Sequence, residues 1–367
     1  MRMLPFILLF FTLLLGIHYL FYSRVIKKLL VSPSTQKKLT LALSINYLFN
    51  LVYAIGRYTD VSIGKLYYLF SLSIGITFIL LLYLIVHEVI ERFHKSLKHI
   101  DPARRRVIKK GGDGTLMALS TAYLSAGVYE GGKEPVVNII KAGCFDFSIV
   151  QISDLHIGGL INRDFVRDMV EKINALKPDL IVITGDLIDT GIRPIREAIL
   201  EMNHLRSKNG LYMVLGNHEY FHNPLEIIDF LQKKTDITLL LNESVTLDRL
   251  KVNLVGVTDR FGYRIGLLPP DIDKAYRGID KRYKTILLAH QPKFIEELEG
   301  HKPDLILSGH THGGQIWPLN YLVKLQQPYV KGLHTLPYGG KIYVNSGIGY
   351  WGPPMRLGSQ AEIAYII

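Results

Sequence analysis

Three stretches near the start of this chain contain no Asp, Glu, Lys or Arg: Met3–Tyr22, Leu39–Gly56 and Leu66–His87. Each approaches the roughly 20 residues that an α-helix needs to cross a hydrocarbon core of about 30 Å. Tyr19, Phe21 and Tyr22 close the first run, and Tyr67 and Tyr68 open the third, as aromatic side chains do at a membrane–water boundary. Three buried helices of a soluble protein would be the alternative. The lengths and the uniform lack of charge predict transmembrane helices instead.

The charge distribution agrees. The formal net charge is +11, and all of it belongs to residues 1–144, where 18 Lys/Arg meet 7 Asp/Glu; residues 145–367 carry 25 of each. A domain that grips nucleic acid would need the excess on its folded half, so nucleic acid is excluded as a partner. The basic residues instead crowd the loops. Arg24, Lys27, Lys28, Lys37 and Lys38 follow the first run, Arg57 and Lys65 follow the second, and eight Lys/Arg from Arg92 to Lys110 follow the third. The positive-inside rule puts the first and third of these loops in the cytoplasm. A weaker apolar run follows at Thr115–Tyr129, and just before it Arg104-Arg105-Arg106-Val107-Ile108-Lys109 has the order of a twin-arginine export signal. The expectation is a multi-pass protein of the cell membrane with residues 104–129 as a fourth or export-like segment, which would place the second half of the chain outside the cytoplasm; the alternative is an ordinary cytoplasmic charge cluster leading into an interfacial helix, which would keep that half inside. Cys144 is the lone cysteine and reads as an inert thiol. Gly131–Pro135 reads as a linker, dividing a membrane region, 1–135, from a soluble domain, 136–367.

In that second half, apolar runs of strand length alternate with amphipathic helical stretches. The strands are predicted at Phe147–Ile152, Leu180–Thr184, Tyr212–Leu215, Val252–Val257, Ile286–Ala289, Leu305–Ser308, Ile342–Val344 and Ala361–Ile367, and a helix at Phe165–Leu176. Near-continuous apolar strands of this kind belong to an α/β layered core with covered sheet faces. The residues just after the strands carry chemistry. They are Asp154-Leu155-His156, Gly185-Asp186-Leu187-Ile188-Asp189, Gly216-Asn217-His218-Glu219, His290, and Gly309-His310-Thr311-His312. Ligands in such folds gather at the carboxyl ends of strands, and a mixture of carboxylate, amide and imidazole suits divalent transition metals.

Two metals about 3.5–4 Å apart need a shared bridging group, and Asp186 is the candidate. Asp154, His156 and His312 would complete one site; Asn217, His290 and His310 would complete the other. Such a pair activates water near neutral pH and clamps phosphoryl oxygens. His218 adjoins Asn217 without being a ligand and can protonate a leaving oxygen. Asp189 could hold its ring and favour the protonated form. His204, His222, His301 and His334 lie outside these motifs and read as surface or packing residues.

The set of motifs resembles the calcineurin-like metallophosphoesterase superfamily over about residues 147–367. Its extended forms, Ile152-Ser153-Asp154-Leu155-His156, Gly309-His310-Thr311-His312-Gly313-Gly314-Gln315-Ile316 and Gly352-Pro353-Pro354-Met355-Arg356-Leu357-Gly358, look like a membrane-associated bacterial phosphodiesterase branch. The resemblance implies a four-layer sandwich of two mixed β-sheets flanked by helices, two bound divalent ions (Mn, Zn or Fe) and hydrolysis of phosphoesters. Preceded by an all-α transmembrane region, such an enzyme would meet lipid-linked or periplasmic phosphoesters, with membrane lipids around it. Trp317–Tyr338, apolar, aromatic and dotted with Lys, would either dip into the interface or pack as a connecting loop. The rival readings are a phosphomonoesterase or protein phosphatase, and a receptor or scaffold that has lost catalysis. Nothing in the sequence names a protein partner.

Overall fold

A computed structural model describes residues 4–58, 66–96 and 101–367 of the chain. Met3, Asp60, Lys65 and Lys98, which bear on the run boundaries and loop charges above, lie outside the described residues. The chain forms two compact units: Met1–Tyr129 with Gly352–Met355, and Glu130–Trp351 with Arg356–Ile367.

The first unit is helical. Its elements are α1 (Leu4–Arg24), α2 (Pro33–Tyr58), α3 (Tyr67–Ser96) and α4 (Pro102–Gly131). Among the described residues, three spans, Leu8–Lys28, Pro33–Arg57 and Tyr67–Phe93, are long and apolar enough to cross a membrane; α4 is not one of them. The second helix begins at Pro33, well before its apolar run opens at Leu39. Ser32 Oγ accepts from Thr35 N at 3.2 Å, and Pro33 opens the first turn, where its missing N–H costs nothing. The third helix continues beyond His87 because the charged residues that follow are good helix formers.

Inside α1–α3, buried polar side chains pair with one another. Asn46 Nδ2 lies 3.1 Å from His18 Nε2 and donates to Thr77 Oγ1 at 2.8 Å. Asn50 Nδ2 donates to the same hydroxyl at 2.7 Å, and Ser73 Oγ donates to Asn50 Oδ1 at 2.7 Å. His18 Nδ1 then faces Leu14 O at 2.7 Å, which fixes its proton on Nδ1 if Nε2 accepts from Asn46. Hydrocarbon offers no hydrogen bonds, so such groups select the one packing that satisfies them. Lys109 pairs with Glu91 of α3 and lies 3.8 Å from Asp113; the last residue of the export-like motif is thus an internal ion-pair partner. Met355 is buried against Gly75 and Gly127 in this same unit.

The second unit holds two six-stranded sheets. The first has the order β1 (Val136–Ile140), β12 (Glu362–Ile366), β2 (Ile149–Ile152), β3 (Leu180–Ile183), β4 (Leu211–Met213), β5 (Thr238–Leu239). The second runs β10 (Gly332–Thr335), β11 (Lys341–Val344), β9 (Leu305–Ser308), β8 (Lys284–Leu288), β7 (Val252–Gly256), β6 (Glu243–Leu247). Among these strands β12–β2, β10–β11 and β6–β7 pair antiparallel; the rest is parallel. Both sheets are therefore mixed.

The two-residue side-chain period of a strand assigns each residue to a layer. Leu180 and Val182 look into the space between the sheets, where they cluster with Ile286, Leu288, Leu305 and Leu307. Ile181 and Ile183 face the other way, onto α5 (Arg163–Ala175), α6 (Ile192–Leu200) and α7 (Pro224–Lys234). Two short helices follow in the chain, α8 (Phe261–Ile265) and α9 (Ile272–Ala275). Leu287 and Ile306 look out of the second sheet onto Ile272 and Ala275 of α9 and onto Phe294. The expected sandwich of two mixed sheets flanked by helices is thus observed.

Replacing Asn50 by Val removes the donor to Thr77 and the acceptor for Ser73. Helix association should lose about 1 kcal/mol, read as a lower unfolding temperature of the full chain in detergent; an unchanged temperature would show that the network adds nothing.

Candidate metal centre

The motif residues follow the carboxyl ends of β2, β3 and β4 in one sheet and of β8 and β9 in the other, so both sheets deliver side chains to one place. Getting them there strains the backbone. Asp154, His156, Asp186, His310 and His312 all have left-handed φ, between 49° and 70°. A non-glycine residue costs of order 1–3 kcal/mol in such a conformation, and these outliers collect at functional sites. The neighbouring glycines are required by close approach. A Cβ on Gly216 would stand 2.1 Å from Asp186 Oδ1, and one on Gly309 would stand 2.2 Å from Asp154 Oδ2.

All seven expected ligands and both expected catalytic residues come together. Ligand atoms of Asp154, His156 and His312 lie within 4.8 Å of one another, as do those of Asp186, His290 and His310. Asn217 Oδ1 joins the second group, 3.1 Å from His290 Nε2. Asp186 stands between the groups, its Oδ2 3.3 Å from His290 Nε2 and 3.8 Å from His156 Nε2. Two pairs of ring nitrogens meet face to face: His156 Nε2 and His312 Nε2 at 3.0 Å, and His290 Nε2 and His310 Nδ1 at 3.2 Å. In its neutral form His290 keeps its proton on Nδ1, 2.7 Å from Thr184 O, and so turns the Nε2 lone pair toward Asn217 Oδ1 at 3.1 Å and Asp186 Oδ2 at 3.3 Å. Convergence on a cation satisfies all four nitrogens, and the donor set is the borderline mixture that transition metals favour. The residues present fit a metal centre.

His218 Nδ1 lies 2.5 Å from Asp189 Oδ1, the contact expected of a ring held by a carboxylate. Asp189 Oδ1 also lies 3.4 Å from His156 Nδ1, so one carboxylate faces two imidazoles. Its preference for a protonated His218 is overridden. Burial holds the His218 pKa below its ordinary value, although Asp186 and Asp189 both pull it up and His156 adds to the depression. Burial would raise the Asp186 pKa, but the His290 and His218 rings outweigh it and hold the carboxyl well below its ordinary range. His310 is pushed down to about 3 by burial and by His290. It is a free-base imidazole at neutral pH, the form that can ligate.

Three residues gain roles that the sequence reading does not give them. Glu219, wholly buried, accepts from Gly216 N at 2.7 Å, Asp186 N at 3.1 Å and Ile188 N at 3.0 Å, tying the second motif to the third. Buried Arg356 donates to the carbonyls of Ser346, Gly347 and Gly349, and Gly349 N donates to Asp154 O at 2.8 Å. Asp259 accepts from Gln291 Nε2 through both oxygens at 3.0 Å, bracing the residue next to His290. Glu219 and Arg356 sit inside quoted motifs, which is the available signal; Asp259 has none. His222 reaches Asp189 O at 3.1 Å, and His301 pairs with Asp273, so both are packing residues.

The sequence profile of the calcineurin-like phosphoesterase family matches residues 147–314. A Helicobacter pylori protein named only as an uncharacterised metallophosphoesterase is 40% identical over 82% of this chain and 82% of its own length. Another so named, from Campylobacter jejuni, is 31% identical over 94% of this chain and 93% of its own. A cattle protein named "transmembrane protein with metallophosphoesterase domain" is 32% identical over 82% of this chain and 74% of its own. With its two mixed sheets, its ligand clusters and these relatives, the chain belongs to the calcineurin-like metallophosphoesterases, a family of metal-dependent phosphoester hydrolases.

Proposed function

We propose that this protein is a membrane-anchored phosphodiesterase that uses a pair of divalent ions to hydrolyse a lipid-linked phosphoester. The observation that carries the reading is Asp186, whose one oxygen approaches imidazoles of both ligand groups. Asp154, His156 and His312 would hold one ion, Asn217, His290 and His310 the other, and Asp186 both. When bound, the ions supply Lewis acidity to the phosphoryl oxygens and to the attacking water. Left-handed backbone and buried hydrogen bonds hold the ligands, so little reorganisation is needed when substrate arrives. His218 turns Nε2 toward the site while Asp189 holds Nδ1, a geometry for donating a proton to the leaving oxygen. An anionic phosphoester beside it would raise its depressed pKa toward the working range. Helices able to cross a membrane support the lipid-linked substrate, since tethering raises the effective concentration of anything else in the bilayer.

Sidedness turns on α4. Outside the set of spanning helices, and with Lys109 engaged by Glu91 and Asp113, α4 supports three crossings rather than four. The basic loop after α3 would then lie in the cytoplasm and the catalytic unit with it. This revises the extracytoplasmic expectation. A reporter fused after Glu134 should be active only as a cytoplasmic reporter such as a fluorescent protein; alkaline phosphatase activity at that fusion would restore export.

The purified full chain should contain two divalent ions, lose activity to a chelator and regain it with Mn, Zn or Fe. Asp186→Asn should lower occupancy of both sites, measured by elemental analysis; a fully active preparation with a single ion per chain would end the dinuclear reading. Turnover of a chromogenic diester above the matching monoester is expected, whereas the reverse order would favour a monoesterase.

His218→Ala should keep its metals and lose about 10²–10⁴-fold in rate. The loss should shrink as the leaving group becomes a better one. A uniform loss across leaving groups would argue for a purely structural His218.

A further inference from the structure

The chain has only two tryptophans, Trp317 and Trp351, and both are more than half exposed, at 52% and 55%. They are neighbours through Gln315, whose Nε2 donates to Trp351 O at 3.1 Å and whose Oε1 accepts from Trp351 N at 2.7 Å. Gln315 itself follows closely on His312. Trp317 leads into α10 (Leu319–Gln326), a helix with no buried residue. Within α10, Tyr321 and Leu325 stand four residues apart, the spacing that lines side chains up along one helix face, and Leu322 adjoins them; Tyr321 is 61%, Leu322 59% and Leu325 82% exposed. Asn320, on the same helix, packs directly on Gly314 of the metal motif. An outward apolar stripe is thus fixed to the loop that carries His310 and His312.

Within this stretch of the chain the charge has one sign. None of residues 305–361 is Asp or Glu, although residues 145–367 as a whole balance 25 basic against 25 acidic side chains. Exposed Lys324 and Lys331 lie in this stretch. Tryptophan, tyrosine and leucine projecting together, interspersed with lysine in a stretch of chain without acid, are the composition of an element that lies in an anionic headgroup layer. Three helices of the same chain are long and apolar enough to cross a membrane, and tethering of that kind raises the effective concentration of a bilayer for the rest of the chain.

We infer that the Trp317–Leu325 face, with Trp351, docks into the headgroup region of the lipid bilayer and presents the metal site to it. The purpose of this docking rests on the lipid-linked substrate proposed above; its existence does not. Because the chain contains no other tryptophan, its whole indole emission reports on this face. Full-length protein in nanodiscs of phosphatidylcholine and phosphatidylglycerol should show a blue-shifted emission that brominated lipids quench, in Trp317→Phe and in Trp351→Phe as well as in the native chain. Leu322→Glu with Leu325→Glu should abolish that quenching and slow hydrolysis of bilayer-borne phosphodiester about tenfold or more, leaving a water-soluble chromogenic diester turned over at the native rate. Emission that ignores brominated lipid but yields to acrylamide in the water would overturn the docking. Quenching without turnover of any lipid phosphodiester would uphold the docking and end the lipid-substrate reading instead.

Discussion

Carboxylates and imidazoles packed out of water at the ends of two sheets are the burden that the rest of the catalytic unit is arranged around. Asp154, Asp186, His156, His290 and His312 are all buried. An isolated buried charge of this kind costs several kcal/mol. Pairing reduces that cost: Asp186 sits against His290, His218 Nδ1 against Asp189, and Asp154 accepts from His310 N through both oxygens at 3.0 and 2.9 Å. A cation at the converging ring nitrogens removes most of what is left. Stability and metal binding are therefore the same problem in this domain.

The support behind the ligands follows from that burden. Glu219 takes three backbone N–H groups that two tight turns leave without partners, and Arg356 takes three carbonyls of the loop over Asp154. Burial brings the Arg356 pKa down to about 10 and pushes the Glu219 carboxyl up to about 8. Both hold backbone in shapes that the sequence would not otherwise favour, which is what positioning at the level of tenths of an ångström requires.

Much of this is legible from residue order alone. The eight strands read from apolar runs are present, because buried parallel strands have no polar face to blur the pattern. The four that escape, β1, β5, β6 and β10, are short or exposed: β5 has two residues, β6 alternates polar positions, and β10 lies within the aromatic stretch after Trp317. The site residues are readable since each motif sits at a strand end. Glu219 and Arg356 gain no role from the sequence, because a hydrogen bond to a backbone group leaves no spacing in it; Asp259 gains none because its partner Gln291 is far along the chain. Lack of charge reveals the apolar helices but not their ends: Ser32 and Pro33 start α2 by capping, a signal that hydropathy does not see.

The position of β12 sets an order of events. It lies between β1 and β2, and among the described strands β1 pairs with β12 alone, from Val136↔Glu362 to Ile140↔Ile366. Glu362 also accepts from Ser346 N at 2.7 Å, behind the loop that Arg356 holds. A ribosome delivers Ile366 long after the three apolar helices have emerged, at roughly 5–20 residues per second. Through that interval the first sheet has a gap near its edge and β1 has no neighbour. The growing chain consequently presents its apolar helices well before it can complete the first sheet, and a chain stalled short of β12 would carry those helices without a finished catalytic unit.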